Sequence, residues 1–450
     1  MNENRKGWLI LAIYLATFMT AIESTIVVTA VHSISASLRS TQAISLIFSV
    51  YLLASAVATP VFGHFADRYG KKYIFQIGLL SFLIGTVFCG LSSSISALIA
   101  ARIIQGIGAG GIMPMTFAMI GELFDLETRG KVMGLNNSAW GIASLIAPLL
   151  GGVLIERLSW HWIFFINVPI AVLVLIILQV FYQETVKPMK TISLAELLQQ
   201  GIFVLGLIIL LCGIQYIADS PIVGLGLFVT GLVYLFLFYR SQQQKKDPVV
   251  PVNLLKMKSF RLLICCIFFI NGALIGFQVY LPLWIQTELA MSATKAGLAL
   301  LPSSIFFIVG SYYSGKLALK IGKQHVLLGT AILSIAGFLT LSLLSSTINY
   351  VYLLMLSSLL GFSIGTGITI SVITAQAYAT RETLSTVSGF ITLCRTLGQS
   401  FMITLLGTAY QAVYQLTKVH LTGYHVVYLV VSIIYLFLLM MVIVNRKKLG

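Results

Sequence analysis

Along the 450-residue chain, runs of apolar residues alternate with short polar turns. The runs fall at approximately 8–32, 43–64, 73–92, 95–120, 132–155, 160–183, 194–217, 221–239, 260–286, 294–317, 324–345, 348–371, 385–411 and 424–444. A helix rises 1.5 Å per residue, so about 20 residues cross the hydrocarbon layer of a bilayer, and each run predicts one spanning helix. The expected fold class is an all-α polytopic membrane protein with about fourteen transmembrane helices.

The polar turns carry a repeat. After the second run stands Gly63-His64-Phe65-Ala66-Asp67-Arg68-Tyr69-Gly70-Lys71, and after the tenth stands Gly315-Lys316-Leu317-Ala318-Leu319-Lys320-Ile321-Gly322-Lys323. Small, basic and glycine positions coincide, which predicts two six-helix bundles separated by two inserted helices, an organisation common among secondary transporters. The longest polar insert, with Gln242-Gln243-Gln244-Lys245-Lys246-Asp247 and prolines at 248 and 251, reads as a linker. The expected domains are an N-terminal six-helix bundle over 1–190, the inserted pair over 191–240, a cytoplasmic linker over 241–259 and a C-terminal six-helix bundle over 260–450.

Composition sharpens this reading. Hydrophobic residues make up 58% of the chain and charged residues 9%, with mean hydropathy +0.99. Soluble domains are about one quarter charged, so a soluble protein is excluded. The net charge of +15 does not mark a nucleic-acid binder, because the basic residues sit in the turns. The loops on the side away from the N-terminus hold only Arg39, Arg157, Lys295 and Lys418, and Arg102 and Arg395 lie inside runs. Every other Lys and Arg lies on the side of the N-terminus. The positive-inside rule therefore places both termini in the cytoplasm of a multi-pass plasma-membrane protein. The first run is too long for a signal-peptide core and is expected to be retained. Cys89, Cys212, Cys265, Cys266 and Cys394 all fall within apolar runs, with no CxxC or Cys/His cluster, so neither a disulfide framework nor a metal site is expected.

Within the first run stands Glu23, and an ionised side chain at membrane depth costs at least ~2.5 kcal/mol. Its cheapest relief is to take up a proton, which makes it a candidate proton carrier; a structural acid bonded to Ser24, Thr25 or a neighbouring helix is the simpler alternative. No other acid is placed as deep. Arg102 and Arg395 cannot shed their charge and need a counter-charge or several acceptors, and with Glu23 they are the candidate proton-coupling and substrate residues. Tyr51, Gln105, Asn137, Trp140, Asn271, Gln278 and Tyr280 are candidate cavity residues, since amides and aromatics suit a pocket for large, flat, partly apolar ligands. Trp284 and Gln286 interrupt the ninth run in the same way, and for any single one of these core packing is the plainer role.

Several of these segments resemble the major facilitator superfamily, specifically its fourteen-span drug:proton antiporters. The turn Gly63, Asp67, Arg68, Gly70, Lys71, Lys72 resembles the superfamily signature between helices 2 and 3. The resemblance implies a latch closing the cytoplasmic side, with Arg129 as a plausible partner for Asp67; a well-formed turn with positive-inside charge is the alternative. Leu319 replaces the acid in the second copy, so the latch is expected to be one-sided. Arg102-Ile103-Ile104-Gln105-Gly106-Ile107-Gly108 resembles a segment that the family places near the proton pathway, where the arginine biases an acid such as Glu23; this and a structural role are not exclusive. Gly134, Gly141, Pro148, Gly151 and Gly152 resemble the antiporters' glycine- and proline-rich helix, with Ala147 where a glycine is usual. Glu23 to His32 takes the place of the family's first-helix motif, with glutamate for aspartate. Trp160 to Pro169 resembles the entrance to helix 6, its tryptophans reading more simply as interfacial anchors, and Leu281 to Gln286 resembles an L-P-x-x-x-Q segment.

Enzyme chemistry finds no footing. Gly310-Ser311-Tyr312-Tyr313-Ser314-Gly315-Lys316-Leu317 approaches a P-loop but lacks the Ser or Thr that binds Mg²⁺. Uphill transport must then draw on an ion gradient. The resemblance implies a proton-coupled multidrug efflux antiporter that exports lipophilic or cationic drugs (dyes, quaternary ammonium compounds, fluoroquinolones) by alternating access. It is expected to have no cofactor, to work as a monomer in the bilayer, and to have drugs and protons as partners. The alternative is a proton-coupled carrier of a single metabolite, siderophore or osmolyte.

Overall fold

The computed structural model describes residues 3–38, 44–183, 194–217, 220–243, 248, 250–291, 293–345, 348–380 and 382–445. Its helices are α1 (Glu3–Leu38), α2 (Ile44–Tyr69), α3 (Lys71–Leu91), α4 (Ile95–Leu123), α5 (Leu126–Arg157), α6 (Trp162–Phe165) and α7 (Asn167–Phe181). There follow α8 (Leu194–Tyr216), α9 (Pro221–Gln242) and α10 (Val252–Leu255). The remainder are α11 (Lys258–Glu288), α12 (Ala293–Leu298), α13 (Leu301–Ile321), α14 (Lys323–Leu341), α15 (Tyr350–Gln376), α16 (Leu384–Thr417) and α17 (His420–Val444). Among the described residues there is no strand, and fourteen helices have 15 residues or more. The all-helical fold expected from the apolar runs is the one observed. Ten stretches among the described residues are long and apolar enough to cross a membrane on length and composition.

Packing repeats along the chain. Helix α2 lies on α4, α3 on α4 and α7, and α1 on α5; later, α13 lies on α15, α14 on α15 and α17, and α11 on α16. Each pairing in the first set has its counterpart in the second. The duplicated turns seen in the sequence are geometric equivalents as well. α2 and α13 each stop one residue before a glycine with positive φ (101° at Gly70, 87° at Gly322), and α3 and α14 start on the following lysine. Only glycine adopts that backbone without strain, which explains why it stands at both turns.

Close helix contacts also rest on matched glycines. A Cβ on Gly106 or Gly110 of α4 would run into the α2 backbone at Tyr51 and Ser55, and one on Gly361 or Gly365 of α15 would meet the α13 backbone at Ser303 and Phe307. The small-xxx-small spacing lets each pair approach backbone to backbone where apolar burial supplies little drive, as is usual in lipid. The two sets of helices meet where α2 and α4 pack on α16, and where α5 packs on α13 and α15. Helices α8 and α9 pack on one another, and α8 touches both α2 and α16.

Candidate functional site

Glu23 comes from α1 and is fully buried. Arg102, about two turns into α4 and likewise buried, donates from Nη1 to Glu23 Oε1 at 2.5 Å. The other carboxylate oxygen, Oε2, accepts from Asn167 Nδ2 of α7 at 2.7 Å. Around this pair the polar contacts form a connected network. Arg102 Nη1 also donates to Gln105 Oε1 at 2.7 Å, Arg102 Nε donates to the Ile47 carbonyl of α2 at 3.2 Å, and Gln105 Nε2 donates to Thr86 Oγ1 of α3 at 2.8 Å. The Tyr51 ring lies under the guanidinium, 4.3 Å from its centroid to Cζ. A buried charge is tolerated only when paired and hydrogen-bonded, and both conditions are met here by residues of α1, α2, α3, α4 and α7.

Two of the candidate cavity residues thereby have a different role in this conformation. Tyr51 and Gln105 are buried against Arg102 and do not line open space. Asn271, on α11, is fully buried too: its Oδ1 accepts from Arg395 Nε at 3.1 Å, and its Nδ2 donates to the Ile267 carbonyl at 2.7 Å. Arg395 is partly buried on α16, with its Cζ 5.0 Å from the ring centre of Phe117 on α4. Asn137 is buried and donates to Ser311 Oγ of α13 at 3.3 Å, across the α5–α13 contact. Trp140 and Gln278 are exposed. Tyr280 lies beside Tyr410, with ring centroids 6.1 Å apart, in an aromatic cluster of α11, α16 and α17 that also holds Tyr424.

At the end of the bundle where the basic turns lie, Asp67 reaches from α2 to the start of α16. Its Oδ1 accepts from the Ser385 N–H at 2.9 Å and its Oδ2 from the Thr386 N–H at 2.5 Å. A carboxylate on the free N–H groups of a helix start is favoured by hydrogen bonding and by the helix dipole. Beside it, a Cβ on Gly63 would strike the Ser385 carbonyl and come within 3.1 Å of Gly389, so only glycine permits this approach. The expected pairing of Asp67 with Arg129 is not what is found. Arg129 donates to the Phe124 carbonyl at 2.7 Å and to the Gly121 carbonyl, tying the α4–α5 turn together, while the acid serves as the cap of a helix in the other set. Asp125, exposed at the start of α5, is held below the usual carboxylate range by the Thr128 side chain beside it. A cavity of about 410 Å³ lies beside this end, lined by Glu122, Arg129, Lys323 and Gln376 among others.

Along α5, Gly130 and Gly134 face Gly315 and Tyr312 of α13, and Gly141 faces Ser304. Gly151 is buried, and the side-chain surroundings of Pro148 and Gly152 lie outside the described residues. The sequence reading did not assign Asn167 to the acid. An amide at the start of an apolar helix, just before Pro169, is the signal that points to it.

Comparison with known proteins bears on this arrangement. The Major Facilitator Superfamily profile matches residues 13–403. "Multidrug resistance protein 3" of Bacillus subtilis (strain 168) is 31% identical over 409 residues, covering 89% of this chain and 79% of that protein. "Multidrug efflux pump SdrM" of Staphylococcus aureus (strain N315) is 29% identical over 406 residues, 89% of each. Among solved structures, that of the human organic anion transporter MFSD10 superposes with a TM-score of 0.68 at 12% identity, covering 98% of this chain and 100% of that one, which is a likeness of fold.

Proposed function

From the premise that the chain belongs to the Major Facilitator Superfamily, a family of transporters, we propose that it is a proton-coupled antiporter exporting lipophilic and cationic drugs. The observation that carries the coupling is the enclosed Glu23–Arg102 pair with Asn167 on the second carboxylate oxygen. In this reading the bundles over 1–190 and 260–450 are the two moving bodies, the basic end is cytoplasmic, and the Asp67 cap together with the α5–α13 contact holds that side shut. The relatives' names support drug export, and the absence of any nucleotide-binding motif in the sequence leaves an ion gradient as the driving force.

Glu23 is enclosed on all sides, so a drug cannot touch the carboxylate here. The coupling we propose runs through the arginine. A proton arriving from outside adds to Glu23, the charge attraction at 2.5 Å is lost, and Arg102 is left in need of new acceptors. Because α1, α2, α3, α4 and α7 all contribute to the network, repacking around Arg102 shifts the N-terminal bundle and loosens its hold on α16. Release of the proton to the cytoplasm restores the pair, drug then binds from the cytoplasm, and the return stroke carries it outward and closes the cycle.

The test is drug-gradient-driven proton movement in proteoliposomes, with ethidium and a fluoroquinolone as probes, for wild type and Glu23→Gln. Wild type is expected to move protons with either probe, and the variant to move none. Proton-coupled drug transport retained by Glu23→Gln would overturn the assignment of the acid; no proton movement in wild type would overturn the antiport.

A further inference from the structure

The two deep arginines are solved in opposite ways. Arg102 has a carboxylate, an amide oxygen, a backbone carbonyl and an aromatic face, and is fully buried. Arg395 has one amide oxygen, that of Asn271, and the face of Phe117, and remains partly exposed. Among the described residues the ion pairs are Lys71–Glu122 and Arg102–Glu23, and neither serves Arg395. Nor can a neighbour on its own bundle do so. The acids at the two ends of that bundle are Glu288, 17 positions beyond Asn271, and Glu382, 13 positions before Arg395, and no Asp or Glu follows Glu382. At 1.5 Å per residue these separations are about 25 Å and about 20 Å along the helices.

Its location matters as much as its charge. Asn271 belongs to α11 and Phe117 to α4, so Arg395 sits where the two sets of helices face one another. It lies nine residues, about 14 Å, along α16 from the Thr386 N–H that Asp67 caps. Arg395 is thus a partly exposed cation at the contact of the two sets of helices. A guanidinium carries five N–H donors in a planar fork, and a carboxylate meets two of them at once. The ring faces of Tyr51 and Phe117 are each taken by one of the protein's own arginines.

We propose that Arg395, oriented by Asn271 and Phe117, is a subsite for a carboxylate on the transported drug, so that the pump takes zwitterionic or acidic aromatic compounds as well as lipophilic cations. This rests on the drug-export reading above and deepens it, assigning the carboxylate of acidic aromatic drugs, the fluoroquinolones among them, to one residue. The fixed positive charge remains uncompensated until such a ligand arrives, and a bound carboxylate supplies the counter-charge that the sequence leaves out.

The experiment compares equilibrium binding of a fluoroquinolone, whose carboxylate is ionised at neutral pH, with binding of its methyl ester, for detergent-purified wild type, Arg395→Gln and Arg395→Lys. Ethidium is the third probe, and gel-filtration profile and melting temperature check folding. Arg395→Gln is expected to weaken the acid at least tenfold and to leave ester and ethidium within twofold. Arg395→Lys, which keeps the charge and loses the fork, is expected to fall between. Equal loss for acid and ester, or no loss for the acid, overturns the subsite, as does a wild type that binds the acid no better than the ester. Transport measured separately in proteoliposomes distinguishes the two claims. Charge-selective binding without drug-driven proton movement overturns the antiport and keeps the subsite; proton movement without charge-selective binding does the reverse.

Discussion

Glu23 and Arg102 stood out in the sequence because a charge in an apolar run is conspicuous, and the structure brings them together across α1 and α4. What the sequence concealed is how completely they satisfy one another. Asn167 was invisible as a partner because an amide near a helix start reads equally well as a turn residue, and only tertiary packing brings it to within 2.7 Å of the carboxylate. The same holds for Tyr51 and Gln105, which look like ligand contacts from composition and turn out to be the bed of the arginine. A buried pair is costly to break from one side, by about 3–5 kcal/mol, because the remaining charge stays enclosed without its counterpart. Arg102→Ala is therefore expected to lower the melting temperature of the purified protein sharply, and Glu23→Gln combined with Arg102→Gln to recover most of that loss. Asn167→Ala removes only one donor and is expected to cost about 1–3 kcal/mol. If the double variant melts no higher than Arg102→Ala, the pair is not the source of the cost.

At the scale of elements, the turns between helices were the most legible part of the chain. The repeat of Gly63 to Lys71 in Gly315 to Lys323 predicted two equivalent corners, and the positive φ of Gly70 and Gly322 shows them to be so. The partner of Asp67 was not legible, because the start of α16 lies more than three hundred residues away in the chain and exposes backbone N–H groups that leave no mark in a side-chain pattern. In the second copy Leu319 stands in the place of the acid and is exposed, so that corner has no carboxylate to offer a neighbouring helix start. Losing an N-cap acid costs about 1 kcal/mol. Asp67→Ala is thus expected to shift the open–closed balance of the basic end by roughly five- to tenfold toward open, with Asp67→Asn close to wild type. The measurement is labelling by an impermeant maleimide, in inside-out vesicles, of a Ser388→Cys reporter in a protein otherwise free of cysteine. Ser388 is fully buried near the start of α16, so unchanged labelling in Asp67→Ala would mean that the cap does not hold that end closed.

For the whole molecule, the apolar runs predicted about fourteen spanning helices, of which ten described stretches meet the length and apolarity of a span, and matched packing groups the helices in two sets, yet nothing in the pattern said where the inserted pair would go. Its position follows from side chains that any lipid-facing helix could carry. Phe203, Leu207, Leu210, Leu211 and Ile214 of α8 are buried together with Ala56 and Val57 of α2 and Leu393 of α16. One helix thus covers the seam along which the two bundles must part if the basic end is to open. These contacts to α2 and to α16 exist at once only while the seam is shut, so their burial adds to the stability of the shut state and not to that of the open one. Leu210 packs against Gly231 of α9, whereas truncating Leu207 and Leu211 to Ala removes apolar surface from the cluster shared with Ala56, Val57 and Leu393; each such change costs about 2–5 kcal/mol where the site is fully enclosed, and less where lipid can fill the gap. The double variant is expected to label faster at Ser388→Cys than its parent, in the same direction as Asp67→Ala, and the two changes together are expected to exceed either alone. Slower labelling would assign α8 the opposite part, as a wedge that travels with one bundle and helps to pry the seam apart.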